Sequence, residues 1–296
     1  MGQNQAIKKK KFKREWLKGY LFILPNFVGF FIFMAVPIIM GLVISFTDYS
    51  GFGMPDFIGI KNYVEMFQDE YFQVSLINNL LYTLVTVPGT IVVSLLLAVA
   101  VNTGIKGRGF FKTMFFFPTI TSMVAVGIVW AMILNPYTGP LNQFLKAIGI
   151  ENPPMWLASS DTALLTVMLV AIWKQAGYYM VIILAGLQSI PKQLYEAAEI
   201  DGAGSIARFF KITLPMLSPT MFMVLILNII NSFQVFDLIN IMTEGGPGRS
   251  TNVLVYRIYQ EGFQQLRFGY ASAIAYFLFL IVLIVTLIQF RGQKKW

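Results

Sequence analysis

Apolar residues run along this chain in six long blocks instead of at alternate positions. They cover residues 20–46, 77–101, 115–134, 163–187, 216–242 and 270–290. A helix rises about 1.5 Å per residue, so about 20 apolar residues cross roughly 30 Å of hydrocarbon. Each block is long enough and is read as a membrane-spanning helix. Continuous apolar runs argue against a β-barrel, whose strands alternate with period two. The segments between blocks are polar, and several carry Pro and Gly, such as residues 135–140 and 245–248. The expected fold is an all-α integral membrane protein with six transmembrane helices.

Composition narrows the chemistry. Of 296 residues, 56% are hydrophobic and 12% charged, against about 25% charged in soluble domains. Mean hydropathy is +0.67. Disorder and collagen are excluded by 27 Phe and the lack of a Gly-X-Y period. With no His and no Cys, disulfides, thiol nucleophiles, His bases and Cys/His metal sites are impossible. No catalytic residue, metal ligand or cofactor is expected. A Gly-x4-Gly-Lys-[Ser/Thr] phosphate loop is also missing from the sequence, so any nucleotide chemistry must lie on another polypeptide.

Net charge is +8. In a soluble protein that would suggest nucleic acid, but the placement of the cations gives a topology signal instead. Lys8, Lys9, Lys10, Lys11, Lys13, Arg14 and Lys18 all precede the first apolar block. That block has no small-residue cleavage site and reads as a retained helix, not a signal peptide. With the N-terminus cytoplasmic, Lys106, Arg108, Lys112, Lys192, Arg208, Lys211, Arg291, Lys294 and Lys295 also fall inside. Only Lys61, Lys146, Arg249, Arg257 and Arg267 fall outside, and Lys174 lies within a helix. The positive-inside rule then places both termini in the cytoplasm. Acids lean the other way: Asp48, Asp56, Glu65, Asp69 and Glu70 share the first outside loop. The expected organisation is a basic cytoplasmic segment over 1–19, one transmembrane domain over 20–290 and a short cytoplasmic tail over 291–296.

The inside segment between helices four and five reads PKQLYEAAEIDGAGSIARFFKITLPMLSP over residues 191–219. Pro191 can open a helix through residues 193–201, and Gly202 and Gly204 offer a break. A second short helix can follow through Arg208 and Lys211 to Pro215. Taken alone, this pattern fits an ordinary amphipathic connector equally well. Its spacing is more particular. Glu196-Ala197-Ala198, three residues, Gly202, nine residues, Ile212, one residue and Leu214-Pro215 match the EAA motif of binding-protein-dependent ABC importer permeases.

The chain resembles that family over nearly its whole length, and most closely the MalF-like sugar-permease branch. Supporting stretches are residues 57–67 (FIGIKNYVEMF), 135–142 (NPYTGPLN), 173–177 with 185–191 (AGLQSIP), and 243–251 (TEGGPGRST). Two features depart from that branch: the loop after helix one is too short for a large periplasmic insert, and Asn79 stands where Thr is usual. The resemblance implies a coupling helix that docks in a cytoplasmic ATPase subunit. Glu196, Ala197, Ala198 and Gly202 would form the docking surface, with Glu196 as polar anchor and Gly202 as the turn; Asp201, Ile212, Leu214 and Pro215 complete the coupling segment. It further implies a second related permease, two ATPase subunits, an extracellular sugar-binding protein and a place in the bacterial plasma membrane.

Polar groups at bilayer depth are costly unless satisfied, so they mark a candidate pathway. Helix four carries Lys174 and Gln175 beside Trp173, Tyr178 and Tyr179. A sugar needs hydrogen-bonding groups next to an aromatic face, which this cluster offers. Lys174 could equally pair with a partner's carboxylate or with backbone carbonyls. Helix five carries Asn228, Asn231, Gln234 and Asp237 at every third position; these could line a pathway or hold helices together. An ion-coupled secondary transporter, with Lys174 and Asp237 as its coupling pair, is the alternative. A lipid-modifying membrane enzyme is a third reading, but the cytoplasmic side offers it only Glu15, Glu196, Glu199 and Asp201.

Overall fold

The computed structural model describes residues 16, 18–103 and 107–293. The cations within residues 1–15, Lys106, Lys294 and Lys295 lie outside the described residues, and part of the expected orientation rests on them.

Four spans are single helices: α1 (Lys18–Ile44), α3 (Glu70–Asn102), α7 (Ala163–Ser189) and α13 (Phe268–Gln293). In α1 a wide turn at Phe31–Ala35 precedes Pro37, whose ring removes an N–H from the helical ladder. Short α2 (Lys61–Gln68) leads into α3. There the Asp69 carboxylate caps the helix by accepting from the Tyr71 N–H at 2.9 Å. Apart from one isolated bridge between Thr47 and Phe57, the described residues are helical or irregular.

The other two spans are not the continuous helices expected over 115–134 and 216–242. The first is α4 (Arg108–Ile120) followed by α5 (Met123–Ile133), bent by 96°. Pro118 falls in the last turn of α4, and Thr121 is extended at ψ 142°. The second is α9 (Ser205–Met216) and α10 (Ser218–Phe233), bent by 65°. It breaks again at residues 234–236 before α11 (Asp237–Met242). Hydropathy averaged over a span does not register these breaks, because the polar dips at the bends (PTITS over 118–122 and SPT over 218–220) are only three to five residues long. Outside the spans lie α6 (Pro140–Ala147), α8 (Lys192–Ile200) and α12 (Leu254–Tyr259).

Helix α7 is the centre of the packing. Its first half meets α3 around Tyr82, Val167, Val170 and Ala171. Its second half buries Tyr179, Met180 and Ile183 against Ala98 and Val101 of α3 and Val224 of α10. The Ser94 hydroxyl donates to the Ala176 carbonyl at 2.9 Å, tying the two helices at depth. Gly177 permits the closest approach: a Cβ there would stand 2.0 Å from the Phe115 carbonyl oxygen of α4. A small residue is what lets two backbones meet so closely in a membrane. By contrast, α1 buries none of its apolar length within this chain and touches α13 through the Tyr276 hydroxyl at the Ile38 carbonyl.

Candidate functional site

A cavity of about 350 Å³ opens between α7, the α4–α5 bend and the break between α10 and α11. Its lining brings together six of the seven pathway candidates: Lys174, Gln175, Tyr178, Asn231, Gln234 and Asp237. Tyr82, Thr119, Tyr179 and Phe236 add polar and aromatic wall, and Met123, Val235 and Leu238 are its apolar part. The break explains the gathering. On a continuous helix, residues three apart drift by about 60° per step; here α10 ends at Phe233, so Gln234 and Asp237 turn into the same space as Asn231. Asn231 Nδ2 donates to the Tyr179 hydroxyl at 3.0 Å, and the Tyr178 and Tyr179 rings meet edge to face at 5.2 Å.

Asn228 does not belong to this set. It is buried one turn away and donates from Nδ2 to the Val87 carbonyl of α3 at 3.3 Å. Its place is between helices, as a packing contact.

Lys174 resolves into the backbone option. Its ammonium donates to the carbonyls of Pro118, Thr119 and Thr121 at 2.9, 3.1 and 2.9 Å. The last carbonyls of a helix have no partners within it, and the 96° bend leaves those of α4 exposed at depth. A cation at a helix C-terminus also complements its dipole. Thr119 Oγ1 answers by donating to the Lys174 carbonyl at 3.2 Å.

A second candidate region is the α8 hairpin. Helix α8 ends at Ile200 with Asp201 as its cap, and Gly202 follows at φ +76°. The Gly202 N–H donates to the Glu199 carbonyl at 3.0 Å and the Ala203 N–H to the Ala198 carbonyl at 2.8 Å. That pair of bonds is a Schellman closure, which requires a left-handed residue at the position of Gly202. The hairpin is tied to the next span by the Tyr195 hydroxyl against Thr213 Oγ1 at 2.9 Å, and within itself by Arg208–Glu199 at 3.0 Å. Glu196, Ala197, Asp201, Gly202 and Pro215 are exposed; Ala198, Ile212 and Leu214 are half-buried. Ile200 and Ile206, at 87% and 74% exposure, give the hairpin tip an apolar surface. Nothing in the hydropathy pattern singled them out.

At the opposite end of the spans, charges that the sequence placed in separate loops form one network. Arg257 pairs with Asp69 at 2.9 Å and with Glu261. Arg267 pairs with Glu65 and, at 3.3 Å, with Glu261. Arg249 reaches Glu70 at 3.0 Å and lies over the Tyr71 ring. Burial pushes the Asp69 carboxyl up, but hydrogen bonds from Tyr270 and the Tyr71 N–H, with the Arg257 charge, hold it below the usual range. Glu261 is fully buried, and that burial outweighs Arg257 and Arg267 to push its carboxyl up. The network clamps the start of α3 to the α12–α13 segment. The only hint in the sequence was the excess of acids in the first outside loop opposite Arg249, Arg257 and Arg267.

A groove of about 660 Å³ lined by Ile91, Leu214, Met221, Phe222 and Leu225 also exists. Its apolar wall gives a hydroxyl-rich solute little to bond. The described residues contain no group of three acids able to hold a metal.

A bundle of straight and broken spans around a polar cavity, with an exposed helical hairpin at one end, is the architecture of a multi-pass membrane permease. Residues 75–295 match the family described as binding-protein-dependent transport system inner membrane component, and the chain belongs to that family. YurN of Bacillus subtilis (strain 168), a probable ABC transporter permease protein, is 38% identical over 279 residues, covering 93% of this chain and 95% of that one. UgpA of Yersinia pestis, an sn-glycerol-3-phosphate transport system permease protein, is 35% identical over 288 residues, covering 96% of each. Among solved structures, a chain of a bacterial ABC transporter involved in import of the acidic polysaccharide alginate superposes with a TM-score of 0.86. It is 28% identical, over 97% of this chain and 98% of that one. A chain of the alginate transporter in complex with a pentasaccharide-bound periplasmic protein gives 0.83 at 29% identity, over 95% and 94%. The chain is thus a permease subunit of an ABC importer.

Proposed function

We propose that this chain forms half of the translocation pathway of an ATP-driven sugar importer in the bacterial plasma membrane, and that oligosaccharides are its substrate class. A second related permease supplies the other half, an extracellular binding protein delivers the sugar, and two ATPase subunits provide the energy. Both termini and α8 face the cytoplasm, and the clamp of Asp69, Arg257 and Glu261 faces outside. Residues 20–290 act as one transmembrane unit. The α8 hairpin, with Glu196, Ala197, Ala198, Asp201 and Gly202 at its surface and Ile212, Leu214 and Pro215 behind, docks the ATPase and passes its closure into α10 through α9.

The observation that carries this reading is the cavity, where amides, phenols and a carboxylate surround one space at the break of α10. Such a set fits the hydroxyls and apolar faces of a sugar ring. The ion-coupled alternative loses its premise, since Lys174 is bonded to carbonyls and not to Asp237. Asn231→Ala and Gln234→Ala are expected to weaken sugar-stimulated ATP hydrolysis while the complex still assembles. Wild-type transport in both variants would remove the cavity from the pathway.

A further inference from the structure

The cavity can be sorted into polar groups already engaged and those left for a solute. Lys174 has three N–H donors, and all three are taken by carbonyls at 2.9–3.1 Å. Those carbonyls close the C-terminal end of α4, so the negative end of a helix faces the ammonium and offsets its charge. Asn231 spends one of its two amide N–H donors on the Tyr179 hydroxyl and keeps the other, with Oδ1, for a solute. Asp237 is exposed to the cavity and its carboxylate has neither hydrogen bond nor ion pair. The side chains of Gln175 and Gln234 and the Tyr178 hydroxyl are likewise unengaged. The free inventory therefore includes one carboxylate, the amides of Gln175 and Gln234, the rest of the Asn231 amide and the Tyr178 hydroxyl. No cation among the lining residues has a donor to spare.

Resting on the pathway reading above, we propose that this cavity admits uncharged, hydroxyl-bearing solutes and discriminates against anionic ones, with Asp237 as the residue that sets the discrimination. A carboxylate accepts from hydroxyl groups and repels a carboxylate or phosphate. In a recess with low-dielectric walls that repulsion is felt across the whole space. The substrate class then differs from those named for the alginate and sn-glycerol-3-phosphate relatives, which are anions.

The chain has no Cys, so a single Gln234→Cys substitution gives a unique thiol in the cavity. The assembled importer in native membranes is treated with a cationic (trimethylammonioethyl) or an anionic (sulfonatoethyl) methanethiosulfonate of similar size. Labelling of this chain is followed by mass, and rates are divided by those for a free thiol. The cationic reagent is expected to react about ten-fold faster. Asp237→Asn in the same background should bring the ratio close to one, and Asp237→Glu should keep it. Gln175→Cys repeats the measurement from α7, in case the first substitution disturbs the α10–α11 break. An anionic reagent that reacts as fast or faster overturns the proposal. So does a cation preference that Asp237→Asn leaves unchanged. If neither position reacts with either reagent, the cavity is closed to water and the pathway reading itself falls.

Discussion

Replacing Lys174 with Met keeps an unbranched side chain only one atom shorter and removes its three donors. The carbonyls of Pro118, Thr119 and Thr121 then lose partners at 2.9, 3.1 and 2.9 Å. Hydrogen bonds inside membrane proteins are worth about 0.6 kcal/mol on average and up to about 1.7, so three together give roughly 2–5 kcal/mol. The upper part of that range is expected here, because the donor is charged and the acceptors are otherwise orphaned. The assay is thermal denaturation of the detergent-purified complex, followed by size-exclusion chromatography. Lys174→Met should lower the midpoint by several degrees and reduce solute-stimulated ATP hydrolysis, since Thr119 and Met123 frame the cavity beside the bend. A midpoint unchanged within about one degree would refute the capping role. Normal stability with transport abolished would refute it too, because the ammonium would then be serving the solute.

Three further outcomes are expected. Gly177→Ala places a methyl 2.0 Å from the Phe115 carbonyl; forcing α4 and α7 apart should cost about 1–3 kcal/mol, visible as a lower yield and melting midpoint of the complex. Gly202→Asp puts a side chain at φ +76°, costing about 1 kcal/mol locally, and should shed or uncouple the ATPase while solute capture by the binding protein is unaffected. In the outer clamp, the lowered Asp69 carboxyl contributes stability present above its unfolded value and lost as pH falls through its folded one. The raised Glu261 carboxyl works oppositely: its contribution is present below its unfolded value and lost as pH rises through its folded one. At neutral pH Asp69→Asn should therefore destabilise the complex more than Glu261→Gln, and equal losses in a melting assay would contradict the assignment.

The spans were legible because hydropathy integrates over 20 residues, which is the scale of the membrane. Breaks were not, because a bend takes only a few residues: Thr121 and Ser122 turn α4 into α5, and the short dip over residues 118–122 vanishes in an average over about 20 residues. Pro118 was visible, yet a Pro also sits inside α3, at Pro88, with the helix continuing to Asn102. The turn at Gly202 was readable because only a residue at ease with positive φ closes a helix in that way. Asn228 and Asn231 look alike in sequence, being three apart on one helix. Their fates differ because α10 presents one to α3 and the other to a gap, which depends on packing alone. The outer clamp joins residues about 200 positions apart, such as Glu65 and Arg267, and local pattern carries no trace of that pairing.

The most direct test of the permease assignment is mild-detergent purification of the tagged chain from native membranes, with mass spectrometry of the proteins that co-elute. A second six-helix permease and a nucleotide-binding ATPase are expected in stoichiometric amounts, with the ATPase lost in Gly202→Asp. A lone chain or a homo-oligomer without any nucleotide-binding protein would contradict the assignment of α8 as its docking element.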